Sequence, residues 1–181
     1  MTDKETDKTT TALRDMVADQ FGRIRQQVQR IAAGLSDTAA VWRPDPEANS
    51  IAWLVWHLTR VQDDHVAFLA GHEQVWTTGG WFERFALPFP ADAHGYGHSS
   101  ADVAAVQTPM ADLVAYQAEV DSMSTKYAQA LTAGSLTRVV DTNWDPPVTA
   151  SVRLVSLIGD CLSHAGQAAY VRGLAERAGV R

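Results

Sequence analysis

A chain of 181 residues fits a single domain with enough length to bury a sizeable core. Its composition, 46% apolar and 20% charged, is that of an ordinary soluble protein, and its net charge of −6 speaks against a nucleic-acid binder or a surface drawn to anionic lipid. There is no apolar window of about twenty residues to span a membrane and no signal-like N-terminal stretch; the single cysteine, Cys161, excludes an internal disulfide, so a cytoplasmic protein is expected.

Residues 1–10 (MTDKETDKTT) are polar without periodicity and predict a flexible tail ahead of one domain over residues 11–181. From Leu13, apolar residues recur at helical spacing through Val17, Phe21, Ile24, Val28, Ile31 and Leu35, which predicts a long amphipathic helix. Gly34 and Ser36-Asp37 end it, and Arg43-Pro44-Asp45-Pro46 cannot continue it. Asn49 or Ser50 caps a second helix from Ile51 to Ala70, with Gly71 as its stop. Its first two turns are apolar nearly all round and belong deep in the structure. Residues 71–107 read as a long irregular connection with a weak helical signal near Trp81–Phe85, and loops of that length are functional or mobile. A third helix starts near Pro109 with Thr108 as its cap and ends at Gly134. Asp145-Pro146-Pro147 marks a turn or short extended loop between Val139 and Val148, and a fourth helix spans about Ser151 to Ala178. With no strand pattern and no internal repeat, these four helices and the long connection between the second and third predict an all-α four-helix bundle.

The fourth helix carries Asp160 and His164 four residues apart, a spacing that stacks both side chains on one face. His57 lies in the apolar run Ile51-Ala52-Trp53-Leu54-Val55-Trp56-His57-Leu58, where an imidazole costs free energy unless something satisfies it. Two imidazoles and a carboxylate suit Zn, Fe, Ni or Mn and leave coordination positions open. The plainer alternative has His57 bonded to a buried carbonyl, with Asp160 and His164 as a surface pair. His65 falls near the His57 face as a pocket wall or a solvated residue near a helix end, and Trp53, Trp56 and Trp144 are candidate pocket walls or core. Cys161 points away from Asp160 around the helix and reads as a small buried hydrophobe. Gly159, Gly166 and Gly173 form a stripe that would let another helix approach closely, within the bundle or across a dimer contact.

The segments Asn49-Ser50-Ile51-Ala52-Trp53-Leu54-Val55-Trp56-His57-Leu58-Thr59-Arg60 and Asp160 with His164-Ala165-Gly166-Gln167-Ala168-Ala169-Tyr170-Val171-Arg172-Gly173 resemble the DinB-like superfamily of bacterial four-helix proteins. The resemblance is closest to its actinobacterial branch of mycothiol-dependent S-transferases. It implies a DinB-like four-helix bundle in which His57, Asp160 and His164 bind a divalent metal, Zn first and Ni, Mn or Fe as alternatives. Asp160 departs from the commoner histidine at that place, as does the relative that isomerises maleylpyruvate with mycothiol. The resemblance further implies mycothiol as thiol co-substrate, a small electrophilic substrate, a role in detoxification and a homodimer. Gln167 and Arg172 would orient neighbours or the cofactor. The competing expectations are a non-catalytic metal- or ligand-binding stress protein on the same fold, or a facial triad for Fe(II) oxygen chemistry.

Overall fold

In the computed structural model, which describes residues 3–181 with side chains from residue 8 onward, α1 (Asp3–Ala32) is followed by the short α2 (Asp37–Val41) and by α3 (Ile51–Ala70). Three short helices, α4 (Val75–Thr78), α5 (Trp81–Phe85) and α6 (Ser100–Ala105), punctuate the connection to α7 (Met110–Ala130). A further turn, α8 (Ala133–Thr137), and a strand pair, β1 (Val139–Asp141) and β2 (Val148–Thr149), lead into α9 (Ala150–Arg177). The fold is the all-α bundle expected, with α1, α3, α7 and α9 as its four long helices.

α1 starts at Asp3, so residues 3–10 are helical where a flexible tail was expected; Met1 and Thr2 lie outside the described residues. No glycine or proline stands between Asp3 and Leu13, and lysine, glutamate and threonine extend the amphipathic helix at small cost. The apolar positions read from the sequence form the inner face: Phe21, Ile24 and Val28 are fully buried. Each such side chain removes enough apolar surface from water to contribute roughly 1.5–3 kcal/mol.

α1 and α3 each pack against both α7 and α9, which places α3 across the bundle from α1. Every residue of α3 from Ile51 to Asp63 is buried, as the apolar perimeter requires of its first two turns, while Arg60 and Asp63 enter the core as a pair 3.7 Å apart. Ser50 is the N-cap, its hydroxyl accepting from the Trp53 amide at 3.1 Å, and Gly71 closes the helix in the left-handed conformation. The start of α7 differs from expectation. Pro109 occupies the cap position, and the Met110 amide donates instead to Asp37 Oδ1 of α2 at 2.8 Å. α7 ends at Ala130, and Gly134 falls inside α8.

The strand pair joins Val139 to Thr149 and Asp141 to Val148 antiparallel. Segments of three and two residues are too short for the alternation that marks a strand in sequence, so none was expected there. The glycine stripe does not serve a close approach within the bundle: a β-carbon added at Gly159 or Gly166 would meet nothing within 4 Å. Among the described residues no helix is long and apolar enough to cross a membrane.

Candidate metal centre

The packing of α3 against α9 brings His57 to the pair Asp160 and His164. One donor atom from each lies within 4.8 Å of the other two, a cluster of the size that holds a metal ion. The His57 and His164 rings meet edge to face with centroids 4.6 Å apart. Local sequence explains both halves. The apolar helix buries His57, and the i, i+4 spacing turns Asp160 and His164 to the same side.

Burial pushes the His57 imidazole down to about 4, against the stabilising bond to the His94 carbonyl. His57 is therefore neutral at physiological pH. Because a carbonyl oxygen can only accept, the bond to His94 requires the proton on His57 Nδ1 and leaves the Nε2 lone pair free. Trp53 stacks on the same ring at 4.7 Å. On α9 the balance is opposite: Asp160 raises the His164 imidazole above its ordinary value, and His164 holds Asp160 below its own. Their closest approach is 3.5 Å, from His164 Nε2 to Asp160 Oδ1. His164 Nδ1 lies 3.1 Å from Gln167 Oε1, so this second imidazole is also oriented through Nδ1 by a carbonyl oxygen.

Asp160 Oδ2 is buried without a hydrogen-bond partner. An orphaned carboxylate oxygen in a buried position is costly unless a cation or donor meets it. With a donor atom from each of two oriented imidazoles in the same cluster, the residues present fit a divalent ion.

A cavity of about 180 Å³ opens beside the cluster, lined by His57, Val61, His65, His94, Tyr96 and Asp160 among others. His65 thus stands on the wall of the site. Its Nδ1 lies 3.0 Å from Asp64 Oδ2, and Asp64 Oδ1 accepts from Gln74 Nε2 at 2.8 Å. Gln74 in turn accepts from the fully buried Arg60 at 2.7 Å. A larger groove of about 800 Å³ lies at the far end of α3, around Leu69, His72, Met123 and Tyr127, away from the cluster.

The remaining sequence candidates divide. Trp53 supports His57, and Gln167 supports His164. Trp144 is 66% exposed in the β1–β2 turn and does not line the cavity. Arg172 donates to the Arg30 and Ile31 carbonyls at 2.8 Å each and pairs with Glu176, so it ties α9 to the end of α1 rather than reaching the cluster. Cys161 is fully buried, its sulfur 3.4 Å from the Leu58 carbonyl, and burial pushes its thiol up. Sequence reasoning gave no role to Arg60, Asp63 or Gly95. A signal existed for two of them: Arg60 and Asp63 are charges three residues apart inside a helix otherwise fit for the core. They approach to 3.7 Å with Tyr116 bonded to Asp63 at 2.7 Å.

The family model described as mycothiol-S-transferase matches residues 12–176. Among solved structures, a conserved protein from Enterococcus faecalis is 31% identical, superposes with a TM-score of 0.82, and the match covers 87% of this chain and 94% of that one. Comparison with curated proteins returns no match. The family match runs from α1 to the last turn of α9 and takes in all three residues of the cluster, and on that span the chain belongs to the mycothiol-S-transferase family, with its DinB-like all-α fold.

Proposed function

We propose that this protein is a cytoplasmic, metal-dependent transferase that joins mycothiol to small electrophiles, with His57, Asp160 and His164 as the metal ligands. The observation that carries the reading is the convergence of one donor atom from each of His57, Asp160 and His164 within 4.8 Å, with Asp160 Oδ2 buried and without a hydrogen-bond partner. His57, Asp160 and His164 would hold a divalent ion, Zn by preference and Ni, Mn or Fe as alternatives, which would supply the positive charge that favours the thiolate form of a thiol at neutral pH.

The chain's own residues set the conditions for that chemistry. Two imidazoles, neutral once an ion is bound, and one carboxylate would offset only one of its two positive charges, so the occupied site would retain a net attraction for a thiolate. His57, fixed through Nδ1, presents Nε2; His164 does the same with Gln167 behind it. His65 lines the cavity, and since Asp64 occupies its Nδ1, Nε2 is the nitrogen left to accept the proton a thiol releases. Val61 and Leu157 supply apolar wall for the electrophile. The nucleophilic sulfur comes from the co-substrate, since Cys161 is buried and far from ionising.

The test is turnover. Tag-free protein loaded with Zn is incubated with mycothiol and a fluorogenic electrophile. Adduct formation that needs both thiol and metal, and that stops on chelation, supports a transferase. Tight metal binding with no turnover by mycothiol or other small thiols would favour a binding protein on the same fold.

A further inference from the structure

The four α3 residues Trp53, Trp56, His57 and Arg60 lie on one stripe, at i, i+3, i+4 and i+7. A single segment of the connection to α7 is laid along that stripe. At one end Arg60, fully buried beside Asp63, donates to two loop carbonyls two residues apart: Nη2 to Ala91 at 3.2 Å and Nε to Ala93 at 3.1 Å. Beyond the other end, Trp53 Nε1 donates to His98 Nδ1 at 3.2 Å, and the His98 ring stacks on Trp56 at 5.5 Å. Between these attachments the His94 carbonyl receives the His57 Nδ1 proton.

Gly95 makes the approach possible. Its φ is +101°, and a β-carbon there would stand 2.6 Å from His57 Nδ1 and 3.1 Å from both Trp53 Cζ2 and Trp56 Cζ3. Two of those atoms belong to aromatic side chains in the core and the third is the atom the strap must bind, so nothing can yield. Any other residue would lift the backbone off His57.

We propose that Ala91–Gly95 is a positioning strap for His57: Arg60 anchors it, Gly95 permits its contact, and the His94 carbonyl fixes the tautomer that leaves Nε2 free for a ligand. The inference rests on the reading of the cluster as a metal centre only for its consequence, metal affinity. Its structural content, the tautomer, concerns the protein alone. Outer partners that orient a ligating histidine are worth about 10- to 100-fold in metal affinity.

Two readouts on the same samples test it. Long-range proton–nitrogen NMR of the metal-free protein reports which His57 nitrogen carries the proton, and competition with a chromophoric chelator reports Zn affinity. Wild type should show His57 protonated at Nδ1. Gly95→Ala should lose that single tautomer and bind Zn about 10- to 100-fold more weakly. Gly80→Ala, at a φ of +71° in the same connection with open space around it, should resemble wild type and controls for backbone strain. Arg60→Lys keeps a cation beside Asp63 but loses the fork on the strap. It should shift both readouts in the direction of Gly95→Ala, and it serves where Gly95→Ala does not fold. His57 protonated at Nε2 in wild type, or a wild-type tautomer and affinity in folded Gly95→Ala or Arg60→Lys, would overturn the proposal. A wild type that takes up no Zn would refute the metal centre, while the tautomer would still decide the strap.

Discussion

The two walls of the site are built on opposite principles. α3 contributes one ligand candidate, His57, that is 8% exposed, neutral, stacked on Trp53 and held through a backbone carbonyl. α9 contributes two, Asp160 and His164, that are only partly buried, paired with each other, and supported by the exposed side chain of Gln167. The first wall fixes geometry by excluding water; the second keeps charge available by admitting it. On the proposed reading, a site that holds an ion yet exchanges thiol and protons would need both, and the burial of one wall would let the other stay open without losing position.

The largest effects should come from deleting a ligand on either wall. His57→Ala and His164→Ala are each expected to lower metal affinity by more than the roughly 100-fold that loss of an outer partner costs, and to remove transferase activity. Isothermal titration with Zn checks the first, and the fluorogenic assay the second.

The walls should then part in their response to acid. His57 has a folded value of about 4 against an ordinary 6.5, so the unfolded chain binds more protons between those values. Metal-free protein should therefore lose stability as pH falls from about 6.5 to about 4, by on the order of 3 kcal/mol from this residue. Urea unfolding across that range should show the loss, and His57→Phe should flatten it. His164, raised by Asp160, acts in the opposite sense. Its pairing stabilises the fold at low pH and fades as pH rises through its folded value. Zn must displace that proton, so affinity should fall about tenfold per pH unit below it. A pH series of Zn titrations measures the slope.

Gln167→Ala should sharpen the contrast further. Its amide is exposed and replaceable by water, so a loss of about 10-fold in metal affinity is expected, at the low end for an outer partner. The smallest effect belongs to Trp144→Ala. An exposed side chain outside the cavity should change stability by no more than about 0.5 kcal/mol and leave thiol transfer unaltered. A marked drop in transfer would place the β1–β2 turn over the substrate.

What could be read in the sequence was what depends on local periodicity. The spans of α3 and α9, the Ser50 and Gly71 caps, and the shared face of Asp160 and His164 all follow from spacing within one helix. The convergence of His57 with that pair followed from the motifs of the family rather than from periodicity. What could not be read depends on residues distant in the chain. Asp37 caps α7 from 73 residues away, Arg172 closes α1 from the last helix, and Arg60 secures a loop about thirty residues downstream. The expected N-terminal tail proved helical from Asp3 because polar composition alone does not oppose a helix. The glycine stripe shows the converse. Its spacing is legible, but in this bundle it faces outward and meets no neighbouring helix.

The most direct measurement is the metal content of protein purified without a histidine tag, in wild type, His57→Ala and His164→Ala. The expected result is about one divalent ion per chain in wild type and none in either variant, since three protein ligands leave too few after one is lost. No ion in wild type after exposure to Zn, Ni, Mn or Fe(II), or equal content in all three proteins, would contradict a metal centre built from His57, Asp160 and His164.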